Sequence, residues 1–411
     1  MPPNRHVSLD ALRGFAVMGI LLMNIVAFAF PMSAYVNPMA AGYHGSDDLA
    51  AWATTFIFVD GKMRGIFSVL FGASLLLVLD QATQNGRNAA QIHVRRMAWL
   101  LLFGLLHYWF IWDGDILALY ALCGFVAYGL RDLPVKTLAR IGVLLIIANM
   151  LLWALIMATA HGLRAEAEGG GSGAIAAYRD MADALGDPLG ASIAADLRLF
   201  QGSYASIVAH RLADHISGPI QLAVAYGLET LGLMAWGMAL FKSGALTGLW
   251  HRRRLRHWAM GAYALGLPLS ALLAFAAWQS GFDVLITADI HYVLDTPVRM
   301  AVMIGHLMLL LWIVTQPVLG GFLMRVAAAG RMAFSNYIMT SILMTSVFYG
   351  YGLGLFGTLS RAQIYLVVPG VWALMLLWSP LWLRVFRYGP LEWVWRSLVF
   401  RQRQPMRITP D

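Results

Sequence analysis

The stretch "LLHYWFIWDGDILALY", residues 105–120, carries one apolar run into another across Asp113, Gly114 and Asp115. The runs extend outward on both sides, over about 97–112 and 116–130. Asp and Gly are strong turn formers. Two apolar helices joined by a tight polar turn describe a hairpin inside a bilayer, and that reading decides the fold.

Composition agrees. The 411-residue chain is 60% hydrophobic and only 12% charged, whereas soluble domains carry roughly 25% charged residues. Repeated apolar stretches near 20 residues mark membrane-spanning helices. We therefore expect an all-α polytopic membrane protein with ten transmembrane helices, within a range of nine to eleven. The expected spans are about 11–30, 63–79, 97–112, 116–130, 141–160, 218–241, 258–279, 298–319, 332–357 and 364–383. Residues 49–60 are too short to span alone and read as a re-entrant piece or an extension of the second span. The expected organisation is a five-helix half over 1–160, an extracytoplasmic loop region over 161–217, a second five-helix half over 218–396, and a cytoplasmic tail over 397–411.

Charge sets the expected orientation. With the N-terminus inside, most of the 29 basic residues fall in cytoplasmic segments, including Arg95, Arg96, the "HRRRLR" run at 251–256 and the arginines from Arg384 to Arg407. Residues 280–297 hold Asp283, Asp289 and Asp295 and neither Lys nor Arg. This asymmetry follows the positive-inside rule and puts both termini in the cytoplasm. The net charge of +8 is thus membrane topology, and no separate basic domain points to nucleic acid. The expected partner is the lipid bilayer, and an oligomer is compatible with the sequence. The first apolar stretch reads as a retained helix, because Asp10 and Arg13 intrude at its start. The single Cys123 reads as a packing residue and excludes an internal disulfide framework.

Charged groups inside spans are costly and usually pair or serve function. In "SLDALRGFAVMGILLMNI", residues 8–25, Asp10 and Arg13 are helix neighbours able to pair. Asn24 lies on nearly the same face, about 16 Å further along. Lys62 and Arg64 fall at the expected outer side, where cations need an anionic ligand or a carboxylate partner. His107 precedes Asp113 by about 9 Å of helix. Asp113 or Asp115 is placed to orient its imidazole as a base. Glu229 reads as a neutral, hydrogen-bonded carboxylate, and Arg331 and Asn336 open the ninth span. The glycines of "YGYGLGLFG", residues 349–357, read as close helix packing. One His and two Asp without Cys or His at ligand spacing point to no metal site.

These motifs, with "GRMAFSNYIMTSILMTSVFYGYGLGLFGTLSRAQ" and "SPLWLRVFRYGPLEWVWRSL", resemble the YeiB family, which carries the domain of unknown function 418. The family resembles in turn a superfamily of transmembrane acyltransferases that includes heparan-alpha-glucosaminide N-acetyltransferase. The resemblance implies a bacterial inner-membrane protein that moves an acyl group from cytoplasmic acyl-CoA, such as acetyl-CoA, to an outer acceptor. That acceptor would be a small molecule, a lipid or a sugar. No permanently bound cofactor is implied. The superfamily's shared element is Ser8, Asp10, Arg13, Gly14 and Asn24. Its catalytic His has no clear counterpart, since His44 follows Asn24 at a different spacing. The expected catalytic set is therefore His107, Asp113, Asp115 and Asn24. The expected substrate-binding set is Asp10, Arg13, Lys62, Arg64, Arg331 and Asn336. The competing expectation is a transporter whose path runs through Asp10, Arg13, Glu229 and His107.

Overall fold

The computed structural model describes residues 4–314 and 320–408. The first five helices are α1 (Asn4–Ala29), α2 (Ser46–Phe58), α3 (Lys62–Gln84), α4 (Ala89–Phe110) and α5 (Leu117–Ala127). A long α6 (Val135–Glu168) leads to three short helices, α7 (Ser172–Ala184), α8 (Ala191–Phe200) and α9 (Tyr204–Ala213). The second half contains α10 (Gly218–Lys242), α11 (Arg252–Gln279), α12 (Val284–Asp289), α13 (Asp295–Val314), α14 (Gly320–Arg331) and α15 (Ala333–Phe348). It closes with α16 (Arg361–Ile364), α17 (Val368–Val385) and α18 (Pro390–Phe400). Among the described residues there is no strand, only an isolated bridge between Phe386 and Arg407.

Seven helical runs are long and apolar enough to cross a membrane: Ser8–Ala29, Ser46–Gln84, Val135–Glu168, Gly218–Lys242, Arg252–Gln279, Val284–Val314 and Arg361–Val385. Helices also occupy the other three expected positions, as α4, α5 and α15. Here α5 and α15 are short, and α4 carries His93, Arg95 and Arg96. The expected span over 298–319 corresponds to α13, and its positions 315–319 lie outside the described residues. The expected continuous span over 332–357 is corrected, because α15 stops at Phe348. The glycines that follow form a turn, with Gly354 and Gly357 at φ of 70° and 72°. The Gly350 amide donates to the Phe200 carbonyl at the end of α8. These glycines bring a loop against α8 rather than pack one helix on another. Residues 161–217 are likewise more ordered than a loop, being largely the helices α7 to α9.

Helix packing is closest where glycines face carbonyls. A Cβ on Gly14 of α1 would lie 2.0 Å from the Val326 oxygen, and one on Gly330 of α14 would lie 1.8 Å from that of Asp10. The crossing of α3 and α10 repeats the arrangement, with Gly72 against Met234 and Gly237 against Val69. In lipid, where no hydrophobic force joins helices, such small-residue contacts supply the packing. The central α1 is almost wholly enclosed. By contrast α6 and α11 expose Leu144, Leu151, Leu155, Leu265 and Leu272, the apolar outer faces expected toward lipid.

Candidate functional site

His107 sits in the last turn of α4, whose N-terminus is capped by the Asn88 side chain. The turn 111–116 then brings Asp115 back beneath the ring. His107 Nδ1 and Asp115 Oδ1 are 2.8 Å apart, and both side chains are essentially inaccessible to solvent. The second oxygen, Oδ2, accepts the Ala118 amide at 2.8 Å and so fixes the carboxylate at the start of α5. An ionised carboxylate can only accept, so Nδ1 carries a proton, and in the neutral imidazole Nε2 is then the atom with the lone pair. Among the described residues Nε2 has no hydrogen-bond partner, nor does the buried Nε1 of Trp112. The Tyr337 ring of α15 lies 5.2 Å from the imidazole. Trp112, 6.2 Å away, stacks at 4.0 Å on Phe28 of α1.

Asp113 takes a different path. Its Oδ1 faces the guanidinium of Arg211 on α9 at 3.5 Å, so the first Asp of the turn ties down the covering helices while the second orients the histidine. Asn24 is buried and lines a small void with Tyr337, Thr340 and Ser341. Tyr337 thus stands between the Asn24 void and the His107 ring, which links α1 to the imidazole across α15.

Below Tyr337 a cavity of about 420 Å³ opens toward the opposite end of the bundle. Its walls include Phe67, Leu70, Leu100, Ile116, Tyr120 and Tyr337, and its mouth carries Arg13, Arg87, Arg96, Arg331 and Arg396. From Phe67 to Gln81 on α3 it runs about 21 Å. Arg13 is held by Asp10 at 2.9 Å and donates to Ser74 Oγ at 2.6 Å. Arg96 lies over Trp395, Arg87 over Phe400 and Arg396 over Tyr388, each within 5 Å of the ring. Aromatic faces hold guanidinium groups in this way. Glu392 of α18 accepts the Phe334 and Ser335 amides at 2.8 and 3.1 Å, capping α15 and fixing the wall that bears Tyr337. The chemistry on offer is a cationic entrance, an apolar passage and an oriented imidazole beyond its end.

Three expected substrate contacts lie elsewhere. Asn336 is fully buried: it donates to the Ala329 carbonyl and Ser379 Oγ and accepts from Trp378 Nε1. Its amide is used up in joining α14, α15 and α17. Lys62 and Arg64 find carboxylates rather than the cavity. Arg64 donates to Glu229 Oε1 at 2.5 Å, Arg299 holds Oε2, and Lys62 lies 3.7 Å from Asp295. Glu229 is therefore the shared counterion of two arginines, which corrects its reading as an isolated neutral acid. The sequence reading did not single out Tyr337, Arg299 or Trp112 for a role. Arg299 alone leaves a signal, as a cation inside an apolar run.

The protein is an all-helical membrane protein whose interior cavity ends below a buried His–Asp pair. Residues 240–402 match the family described as "Protein of unknown function (DUF418)". The uncharacterized protein YeiB of Escherichia coli (strain K12) is 31% identical over 98% of both chains. The uncharacterized protein YxaH of Bacillus subtilis (strain 168) is 31% identical over 97% of this chain and 95% of its own. The chain belongs to this YeiB family. No solved structure matches it.

Proposed function

We propose that this protein is an acyltransferase of the bacterial inner membrane that passes an acyl group from cytoplasmic acyl-CoA to an acceptor at the outer side. In this reading ten helices cross the bilayer and both termini are cytoplasmic, so the arginine mouth faces the cytoplasm. The observation that carries the proposal is the passage itself, cationic at one end, apolar along its length and bounded by Tyr337, whose ring lies 5.2 Å from a buried imidazole with one unpartnered nitrogen.

The mouth arginines neutralise the phosphates of the donor, and the apolar walls take its pantetheine arm and acyl chain. His107 Nε2 removes the proton from an acceptor hydroxyl or amine as that atom bonds to the thioester carbon. The carbon–sulfur bond breaks, and the imidazolium returns the proton to the departing thiolate. Asp115 holds the tautomer and stabilises the imidazolium. Asn24 donates to the carbonyl oxygen as negative charge develops there. Envelope sugars, lipids and exported metabolites are the acceptors compatible with an outer exit, and nucleic acid is not a partner. Transport is the weaker reading, because Glu229, its natural proton carrier, is clamped between two arginines.

The test is acyl transfer in proteoliposomes supplied with labelled acetyl-CoA on one side and bacterial envelope extract on the other. The unaltered protein should label an acceptor, and His107→Ala should lose the activity, counted per folded molecule, by a factor on the order of 10²–10⁴. Equal labelling by both proteins would refute the role of His107.

A further inference from the structure

A second polar cluster lies at the end of the bundle opposite the arginine mouth. Helix α3 begins there with Lys62 and ends beside the mouth, about 34 Å away. Arg361 is 2% exposed and makes no ion pair among the described residues. Its Nη2 donates to the Ala34 carbonyl, and its Nε has no partner. The buried Arg299 also has an unpartnered Nε, the neighbouring Asp295 has an unpartnered Oδ1, and Tyr365 has an unpartnered hydroxyl. Buried polar atoms are seldom left without partners, and those of charged groups are the most costly to leave so. Four such atoms on four residues indicate capacity held for something else.

The cluster is graded in its exposure. Tyr35, Asp60, His291 and Tyr365 are half-buried, whereas Lys62, Arg299 and Arg361 behind them are buried. Asp60 lies within electrostatic reach of Lys62, Arg361 and Asp295, yet among the described residues it forms no ion pair within 4.0 Å. The backbone is specialised at the same place. Gly61 adopts φ of 70°, and a Cβ on it would lie 2.9 Å from Arg299 Cδ, so a larger residue would be strained and would displace the guanidinium stem. Residues 290–294 form a π-helical turn, a feature frequent at functional sites. That turn offers the His291 carbonyl to Arg299 at 3.0 Å and sets the His291 ring edge-on to Tyr35 at 5.7 Å.

We infer that Asp60, Arg299, Arg361 and Tyr365 form a binding site for a small molecule that carries an anionic group beside a hydrogen-bond donor. The guanidinium Nε–H groups and the Tyr365 hydroxyl take the carboxylate or phosphate oxygens. Asp60 and Asp295 take the ammonium or hydroxyl next to it. A bare anion fits less well, because Asp60 faces the same space. The site is separate from the cavity below Tyr337, since none of these four residues lines it. Its test therefore does not depend on acyl transfer.

The experiment is thermal unfolding of the full-length protein in detergent with phosphoethanolamine, a soluble zwitterion, and with inorganic phosphate. Phosphoethanolamine should raise the unfolding temperature with saturation, and phosphate should do so less. Arg361→Gln should weaken phosphoethanolamine at least about tenfold. Asp60→Asn, on the half-buried side where folding is least at risk, should erase the preference for phosphoethanolamine over phosphate. A headgroup source would show as the same competition when phosphatidylethanolamine nanodiscs replace detergent, the lipid lowering the effect of the soluble zwitterion. Absence of any shift in the unaltered protein, or equal shifts in both variants, would overturn the site.

Discussion

Two deeply buried charged groups of this protein, Glu229 and His107, differ in what they themselves leave unused. Around Glu229 both carboxylate oxygens are taken by guanidinium groups. At His107 the carboxylate is satisfied but the imidazole keeps one nitrogen without a partner. Both pay the desolvation cost of burial. The Glu229 carboxylate is wholly used by its two arginines, whereas the imidazole keeps a nitrogen that the proposed transfer would use as its base.

The sharpest break of that contrast is Asp115→Asn. It leaves the volume of the pair unchanged but ends the obligation for Nδ1 to carry the proton. Acyl transfer should fall on the order of 10²–10⁴-fold, read as initial rate in proteoliposomes, with the helical circular dichroism unchanged. Glu229→Ala should do the reverse. Stranding two buried arginines costs about 3–5 kcal/mol, read by thermal unfolding, while residual transfer per folded molecule persists.

A smaller effect belongs to Asp196 of α8, outside the spanning helices. Burial pushes its carboxyl up to about 6, helped by the charge of Asp113 and opposed by His210. A folded-state value above the unfolded one means that the charged form is disfavoured in the fold. The contribution of Asp196 to stability therefore diminishes as pH rises from about 4 through 6. Asp196→Asn should stabilise the protein at pH 7.5, and the gain should shrink as unfolding is repeated toward pH 4. The smallest effect is expected for Asp113→Asn. Its contact with the buried Arg211 is long, at 3.5 Å, and Asn keeps an oxygen able to accept from that guanidinium, so the change should cost about 1 kcal/mol and leave transfer intact. A large loss of transfer would mean that the first Asp of the turn, not the second, orients the histidine.

Much of the fold was legible because hydrophobic runs and charge bias are local properties. The helices at all ten expected positions follow from them, as does the Asp10–Arg13 pair three residues apart. The site was legible only where its parts are close in the chain, as with His107 and Asp115. Glu229 read as isolated because its partners Arg64 and Arg299 are 165 and 70 positions away. Asn336 looked like a ligand contact because its three partners come from two other helices. Tyr337 gave no signal, since an aromatic residue in an apolar helix is ordinarily packing. The glycines after Phe348 misled for a related reason. Their spacing suits a helix contact, and only positive φ values distinguish the turn.

The most direct test of the central claim is whether the arginine-mouthed cavity binds acyl-CoA. Thermal unfolding of the purified protein should be measured with acetyl-CoA, with longer acyl-CoAs and with adenosine bisphosphate as a control. A ligand that binds only the folded state stabilises it by about 2.7 kcal/mol at a hundredfold excess over its dissociation constant. The account predicts a shift specific to acyl-CoA that shrinks in Arg96→Gln. No shift with any donor, or an equal shift with the bisphosphate alone, would contradict it.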